Sequence, residues 1–301
     1  MNVADMVRVL MVDLLVERET FGHGGNQEVV RPFAARGDVE LLLVTPQMQS
    51  FEAGKKAESG EVLLSEEDVP HWDDDFPFWQ STTVELEGRT VSFRRIVMPM
   101  IENDTKMSNW LDSIAVDAVV CSGSRRNVSM WEDWMAPAAS LVRASANTGK
   151  PTLGICFGHQ LLCHALGATI ERAESLSSGI WDLNLTDDGG DDELLTSHVS
   201  DDSIVAGLFT HQDHVMSVPE SCSLLCSTNH NRVTAVRVLS ENGEPLPAWG
   251  IQFHPEAARA RIERAHEWGH ITDEELASFK GEHDGSSILS SFATVVYRYQ
   301  A

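Results

Sequence analysis

Lysine is scarce in this chain. Lys55, Lys56, Lys106, Lys150 and Lys280 are the only five among 22 basic residues, which face 46 aspartates and glutamates for a formal net charge of −24. A surface this negative repels phosphate backbones, so nucleic acid and anionic membranes are not expected partners. Long apolar runs are also missing. No stretch reaches the roughly 18 residues of a membrane-spanning helix. The short run from Val7 to Val16 is broken by Arg8 and Asp13 and reads as a core strand, not a signal peptide. A cytoplasmic protein is the expectation. Cysteines number five, an odd and low count that does not suggest a disulfide framework. Cys222 and Cys226 are four apart, but no second ligand pair follows at zinc-like spacing, so burial is expected for both. Neither a Gly-x4-Gly-Lys-Ser/Thr loop nor a Ser-Gly-Gly-x-Asp-Ser loop is present, which leaves no phosphate-binding element for nucleotide chemistry. No metal and no cofactor is expected.

What is present is an ordinary globular balance, 42% hydrophobic and 23% charged over 301 residues. Strand and helix periods alternate. Val7 to Leu15, Val39 to Val44, Val91 to Val97, Ala118 to Cys121 and Pro151 to Ile155 read as strands. Helical patterns fall between them, from Gly24 to Ala35 and from Trp131 to about Ala146. This β-α-β rhythm implies an α/β fold with a mostly parallel central sheet and helices on both faces. Trp131, Trp134 and Met135 form an apolar stripe expected to be core. Residues 47–80 break the rhythm and read as a surface insertion, where His71 beside Asp73, Asp74 and Asp75 suggests a solvated acidic loop. After Gly167 the pattern turns β-rich, with Thr169-Ile170, Trp181 to Leu185, Val233 to Leu239 and Trp249 to Phe253. Past Glu256 it is helical, Thr272 and Glu275 forming a capping box and Ile288 to Tyr299 an amphipathic stretch. There are no repeats and no clear linker. One domain over 1–301 is the economical organisation, with a core of about 8–256 and a helical tail of about 257–301.

The chemistry concentrates in Gly154-Ile155-Cys156-Phe157-Gly158-His159-Gln160. A buried strand runs straight into a helix, with the reactive side chain at the corner and a glycine two residues to either side. This is a cysteine version of the nucleophile elbow. The glycines allow backbone segments to approach where a Cβ would collide. The helix N-terminus favours thiolate at Cys156, and the N–H of Phe157 points to where an oxyanion would form. A thiol nucleophile needs a base, and the base an orienter. Downstream, Trp249 to Phe253 delivers His254 to the sheet edge, Pro255 stops the strand, and Glu256 can turn back to the imidazole.

With both motifs intact and in this order, the chain resembles the class I, triad-type glutamine amidotransferases, in particular a stand-alone domain like the glutaminase subunit of GMP synthase. Ser122-Gly123 stands where that family has its oxyanion-hole loop. The resemblance implies a flavodoxin-like fold and hydrolysis of the L-glutamine side-chain amide to glutamate and ammonia. It assigns nucleophile, base and orienter to Cys156, His254 and Glu256, and the oxyanion hole to Phe157 with Gly123 or Ser124. Gln160 would contact the substrate's amino-acid end, and His211 in Thr210-His211-Gln212-Asp213-His214 is a candidate pocket residue. Asp213, His214, His159 and His164 read as structural. Because no synthase half is present, the ammonia acceptor would be a separate synthase subunit, or the enzyme would act alone. Relatives that make GMP or carbamoyl phosphate often have two consecutive glycines in this loop, where the chain has Gly123-Ser124-Arg125-Arg126, and pairing with surface acids is expected for the two arginines.

Two alternatives stand beside this. A γ-glutamyl peptidase or hydrolase would use the same residues with a wider pocket, set by 47–80 and 123–131. A non-catalytic scaffold would ordinarily lack a triad member, and all three are here. A PfpI-like chaperone or protease would share the cysteine elbow but not the His-Pro-Glu.

The acid-rich, lysine-poor surface also resembles that of proteins from salt-loving organisms, in which ions screen the self-repulsion. The Debye length shrinks from about 10 Å at 0.1 M to about 3 Å at 1 M salt. Thermal melts followed by circular dichroism are therefore expected to rise steadily from low salt to molar KCl. A flat profile removes the halophilic reading.

Overall fold

A strand buried on both faces needs apolar side chains at successive positions, and β1 (Met6–Val12) has them. Val7, Val9 and Met11 enter one core while Leu10 and Val12 enter a second on the opposite face. The computed structural model describes residues 6–14, 21–47, 49, 51–58, 83–196, 205–267, 269 and 271–300.

From β1 the chain passes through α1 (Phe21–Ala34), β2 (Asp38–Val44) and α2 (Phe51–Glu58) to a hairpin of β3 (Thr83–Leu86) and β4 (Arg89–Arg95). It returns through α3 (Asp104–Ser113), β5 (Ala118–Cys121), α4 (Met135–Asn147), β6 (Thr152–Ile155) and α5 (Phe157–Ala165). Next come β7 (Ile170–Asp182), β8 (Asn184–Leu185), the short α6 (Asp187–Gly190) and α7 (Glu193–Thr196), and β9 (Ala206–Val215). The strands β10 (Cys222–Ser227), β11 (Ala235–Leu239) and β12 (Pro245–Ile251) precede α8 (Arg259–Glu267), α9 (Asp273–Ser278) and α10 (Gly285–Gln300).

Ten strands form one sheet in the order β3-β4-β2-β1-β5-β6-β12-β11-β10-β8, while β7 and β9 pair as a separate antiparallel ribbon. The run β4-β2-β1-β5-β6-β12 is parallel throughout. Val29, Phe33 and Phe292 bring α1 and α10 to one face, and Trp110, Leu141 and Leu161 bring α3, α4 and α5 to the other. The expected α/β fold, a mostly parallel sheet with helices on both faces, is therefore observed. Strand order reverses between β1 and β5, and crevices at such switch points open at the carboxyl ends of the strands. The adjacent strands β5, β6 and β12 are parallel, so the segments that follow them meet at that edge.

Several expectations change. Of the insertion expected at 47–80, Phe51–Glu58 is helical, while His71 and Asp73 to Asp75 lie outside the described residues. The tryptophan stripe divides: Trp134 and Met135 are buried, but Trp131 is 43% exposed with its ring 4.6 Å from His164. The helix starts only at Met135, so Trp131 lies on the loop before it. Cys222 and Cys226 are buried in different cores, on opposite faces of the sheet, and cannot share a ligand. The capping box at Thr272 is present, with both reciprocal hydrogen bonds.

The C-terminal helix is part of the core. Phe292 is fully buried and meets Phe33 and Trp249 edge-on, with ring centroids 6.1 and 6.3 Å away. Phe292→Ala is expected to cost about 3–5 kcal/mol in denaturant unfolding. A loss under about 1 kcal/mol would mean that α10 adds little to the core.

Candidate active site

The corner between β6 and α5 is built by collisions that glycine avoids. A Cβ on Gly154 would stand 2.6 Å from the Gly158 carbonyl oxygen, and one on Gly158 would stand 2.3 Å from the Cys121 carbonyl oxygen. The elbow helix is thus pressed against the end of β5. Cys156 caps that helix at φ +50° and ψ −99°, a conformation costing a non-glycine residue about 1–3 kcal/mol. Its N–H donates to the Ile251 carbonyl at 2.8 Å, and its own carbonyl accepts from Gln160 N–H at 3.1 Å. Neighbouring β12 and the first turn of α5 hold the strained residue in place.

His254 follows β12 by three residues, and its N–H donates to the Leu208 carbonyl of β9 at 2.7 Å. The ring Nδ1 lies 2.8 Å from Glu256 Oε1, and both side chains are buried. Burial alone would lower the His254 pKa. The charges of Cys156 and Glu256, with the hydrogen bond to Glu256, outweigh it and hold the imidazole well above its ordinary range. A pKa raised on folding contributes stability that is fully present below the unfolded value, about 6.5, and is lost as pH rises through the folded value. The imidazolium therefore persists through neutral pH.

Gly123 closes the third side. A Cβ there would lie 2.9 Å from His254 Cε1 and 3.7 Å from Cys156 Cβ. Ser122 Oγ donates to the Gly123 carbonyl at 3.0 Å and accepts from Leu14 N–H at 2.9 Å. Because a trans peptide points its C=O and N–H oppositely, pinning that carbonyl also sets the direction of the Ser124 N–H. Farther along the loop, Ser124 Oγ accepts from Arg126 N–H at 3.0 Å, and Arg126 pairs with Glu132 at 3.4 Å.

Gln160 and Asp213 brace these segments. Gln160 Nε2 donates to the Asp213 carbonyl at 2.9 Å and to Gln252 Oε1 at 3.1 Å, linking the elbow helix, β9 and the segment that carries His254. The amide N–H groups of Gln160 are thus engaged within the protein. The Asp213 carboxylate, 1% exposed, accepts from Ser129 N–H at 2.8 Å and Ser129 Oγ at 2.7 Å. That clamps the segment continuing from Gly123. Nothing in the residue pattern marks Ser129 as its partner, since 84 positions separate them.

His211 is buried, with its ring 4.9 Å from that of His214, and neither ring nitrogen has a partner among the described residues. Burial, then the charges of His214, His254 and His159, hold it well below the ordinary imidazole range, so it is neutral at pH 7. His159 is fully buried, its Nε2 3.1 Å from the Val233 carbonyl, and burial lowers its pKa to about 4. Among the described residues no group of three or more His, Cys, Asp or Glu could hold a metal. No helix among them is long and apolar enough to cross a membrane.

Asp213→Asn would weaken the clamp on the 123–129 loop while keeping the side chain's size. Displacing a reacting group by about 1 Å can cost 10²-fold, so kcat/KM is expected to fall by about that factor with the fold intact by circular dichroism. Unchanged kinetics would mean that Ser129 does not need this acceptor.

Comparisons with known proteins place the chain in a family. The family model for the class-I glutamine amidotransferases matches residues 83–265. A GMP synthase (glutamine-hydrolysing) of Gloeobacter violaceus is 27% identical over 59% of this chain and 29% of its own length. One subunit of the glutamine-hydrolysing GMP synthase of Sulfurisphaera tokodaii is 29% identical over 46% of this chain and 67% of that protein. Gamma-glutamyl peptidase 5 of Arabidopsis thaliana is 34% identical over 46% of this chain and 53% of that protein. The first of these relatives thus extends well beyond the part that the chain matches. A solved glutamine amidotransferase from Thermotoga maritima superposes with a TM-score of 0.56 at 15% identity, covering 97% of this chain and 98% of that one, a likeness of fold. With more than half its length matched by the family model, the chain belongs to the class-I glutamine amidotransferase family.

Proposed function

We propose that this protein hydrolyses the side-chain amide of L-glutamine to glutamate and ammonia, with Cys156 as nucleophile, His254 as acid and base, and Glu256 as orienter. One observation carries the reading: Cys156 sits at the strained corner, Gly123 packs against Cys156 and His254, and Glu256 lies 2.8 Å from the far side of that imidazole. The Cys156 thiolate attacks the amide carbon, and the carbonyl electron pair moves onto oxygen. The N–H groups of Phe157 and of Gly123 or Ser124 receive that oxyanion. The protonated His254 gives its proton to the leaving nitrogen as the C–N bond breaks, releasing ammonia and leaving a thioester. Water, deprotonated by His254, attacks the thioester; glutamate departs and the thiolate is restored. Glu256 holds Nδ1–H throughout, keeping the other nitrogen toward Cys156. His211, neutral and with neither nitrogen engaged among the described residues, is a candidate to meet the substrate's polar atoms. Gln160 offers only its side-chain oxygen, since its amide hydrogens serve the brace.

Ammonia would pass to a separate synthase subunit. The Sulfurisphaera tokodaii relative, named as one subunit of a GMP synthase, supports that reading. The burial of α10 against the sheet supports one amidotransferase domain over the whole chain. The absence of a membrane-spanning helix among the described residues is compatible with a cytoplasmic place. A second reading, a γ-glutamyl peptidase, is favoured by the 34% identity to the Arabidopsis thaliana peptidase.

The test is glutamate release from L-glutamine and from γ-glutamyl dipeptides, in molar KCl. Release from glutamine is expected to fall about 10³-fold or more in Cys156→Ala and substantially in Glu256→Gln, which also moves the His254 titration down toward ordinary imidazole values. Cleavage of dipeptides but not glutamine would replace the amidotransferase reading with the peptidase one.

A further inference from the structure

The β7–β9 ribbon carries a cleft of about 450 Å³ whose lining suits an anion. Arg172, Arg232, His214, Asn231 and Ser177 contribute donors, and among the described residues Glu171 is the one carboxylate in the lining. Two guanidiniums against one carboxylate is unusual in a chain of net charge −24. Many of the other arginines find acids: Arg8 pairs with Glu40, Arg31 with Glu28 and Glu87, Arg143 with Asp104, and Arg237 with Asp192. The cleft arginines do not. Arg172 donates to the neutral Gln212 Oε1 at 2.6 Å and touches Met130 Sδ at 3.3 Å, and Arg232 has no ion pair among the described residues.

An independent sign comes from Asn231. It is 3% exposed, its Oδ1 accepts from Val233 N–H at 3.2 Å, and its side chain also interacts with His214 of the lining, yet its buried Nδ2 has no well-formed acceptor among the described residues. A buried donor without an acceptor costs about 1–3 kcal/mol, so an acceptor brought by a ligand has a ready place here. The shape of the ribbon opens the space. Between the pairs Arg172–Asp213 and Ser177–His211, four residues of β7 oppose the single Gln212 of β9, and that bulge carries the strand away from its partner. His214, in the lining, has its ring 4.9 Å from that of His211, which in turn feels the charge of His254. Through His214 and His211 the cleft is thus linked to His254.

We propose that this cleft binds the carboxylate or phosphate group of a small molecule. Guanidinium forks match such oxyanions, and the orphaned amide donor adds a directed contact. The anion can belong to the far end of a γ-glutamyl substrate held at Cys156, a source that rests on the function proposed above, or to a separate ligand.

Calorimetry on the full chain with inorganic phosphate tests the site without relying on turnover. Binding is expected in the native protein, about tenfold weaker in Arg172→Ala/Arg232→Ala, and unchanged in Arg36→Ala, a control remote from the cleft. Circular dichroism checks that the double variant folds. Absence of phosphate binding, or equal binding by native and double-variant protein, would overturn the proposal. Kinetics then separate the sources. If KM for γ-glutamylglycine rises about tenfold in the double variant while KM for glutamine holds, the site takes the substrate's far carboxylate. If both KM values hold while phosphate binding is lost, it serves a separate ligand. A chain that cleaves neither substrate still gives the phosphate isotherm, so failure of the catalytic reading is distinguishable from failure of this one.

Discussion

The structure depends on holding one residue where its backbone does not want to be. Cys156 at φ +50° stays at the β6–α5 corner because everything around it is already fixed. Below it β12 accepts its N–H, behind it Gly158 lies against the carbonyl at the end of β5, and ahead of it the helix begins. The strain is small beside the apolar burial on the two sheet faces, so the fold can sustain it. In return the thiol meets a helix N-terminus and stands at the edge where three parallel strands end. Gly154 and Gly158 are required by contacts more than by dihedral angles, since each Cβ would land on backbone that cannot move away.

Electrostatics complete what geometry begins. A buried imidazole alone would be neutral, and His159 and His211 show this, their pKa values pushed down by burial. His254 differs because the charges of Cys156 and Glu256 act on it. The same low-polarity surroundings thus keep one histidine charged and its neighbours neutral. The segments carrying these groups are bound together through Gln160 and Asp213, so the elbow, the loop after β5 and the segment that carries His254 share one hydrogen-bonded framework.

Much of this was legible in the residues because local signals agreed with the tertiary outcome. Uniformly apolar strands, the glycines around Cys156 and the proline after His254 each constrain their own neighbourhood, and together they specify the parallel sheet and its functional edge. What escaped had weaker or nonlocal signals. The helix α3 has only Met107, Trp110 and Leu111 buried, too few for a clear period, although Asn103 caps it. The long ribbon strand β7 is mostly solvent-facing and rich in Glu and Ser, so it lacks the apolar alternation that marks a strand. Trp131 fits a helical stripe by spacing, but the helix starts too late to include it. Ser129 and Asp213 meet only because the fold brings β9 to the loop after β5, a contact without local signature. The same holds for the arginines of the ribbon cleft, which are 60 positions apart and converge only in three dimensions.

The central claim is that this fold activates one thiol among five. Mass spectrometry after treatment with a glutamine-derived chloroketone tests it most directly. The account predicts stoichiometric alkylation confined to Cys156, slowed strongly in His254→Asn, with Cys121, Cys163, Cys222 and Cys226 unmodified in their buried positions. Modification of another cysteine in the folded protein, or equal labelling of Cys156 with and without His254, would contradict it.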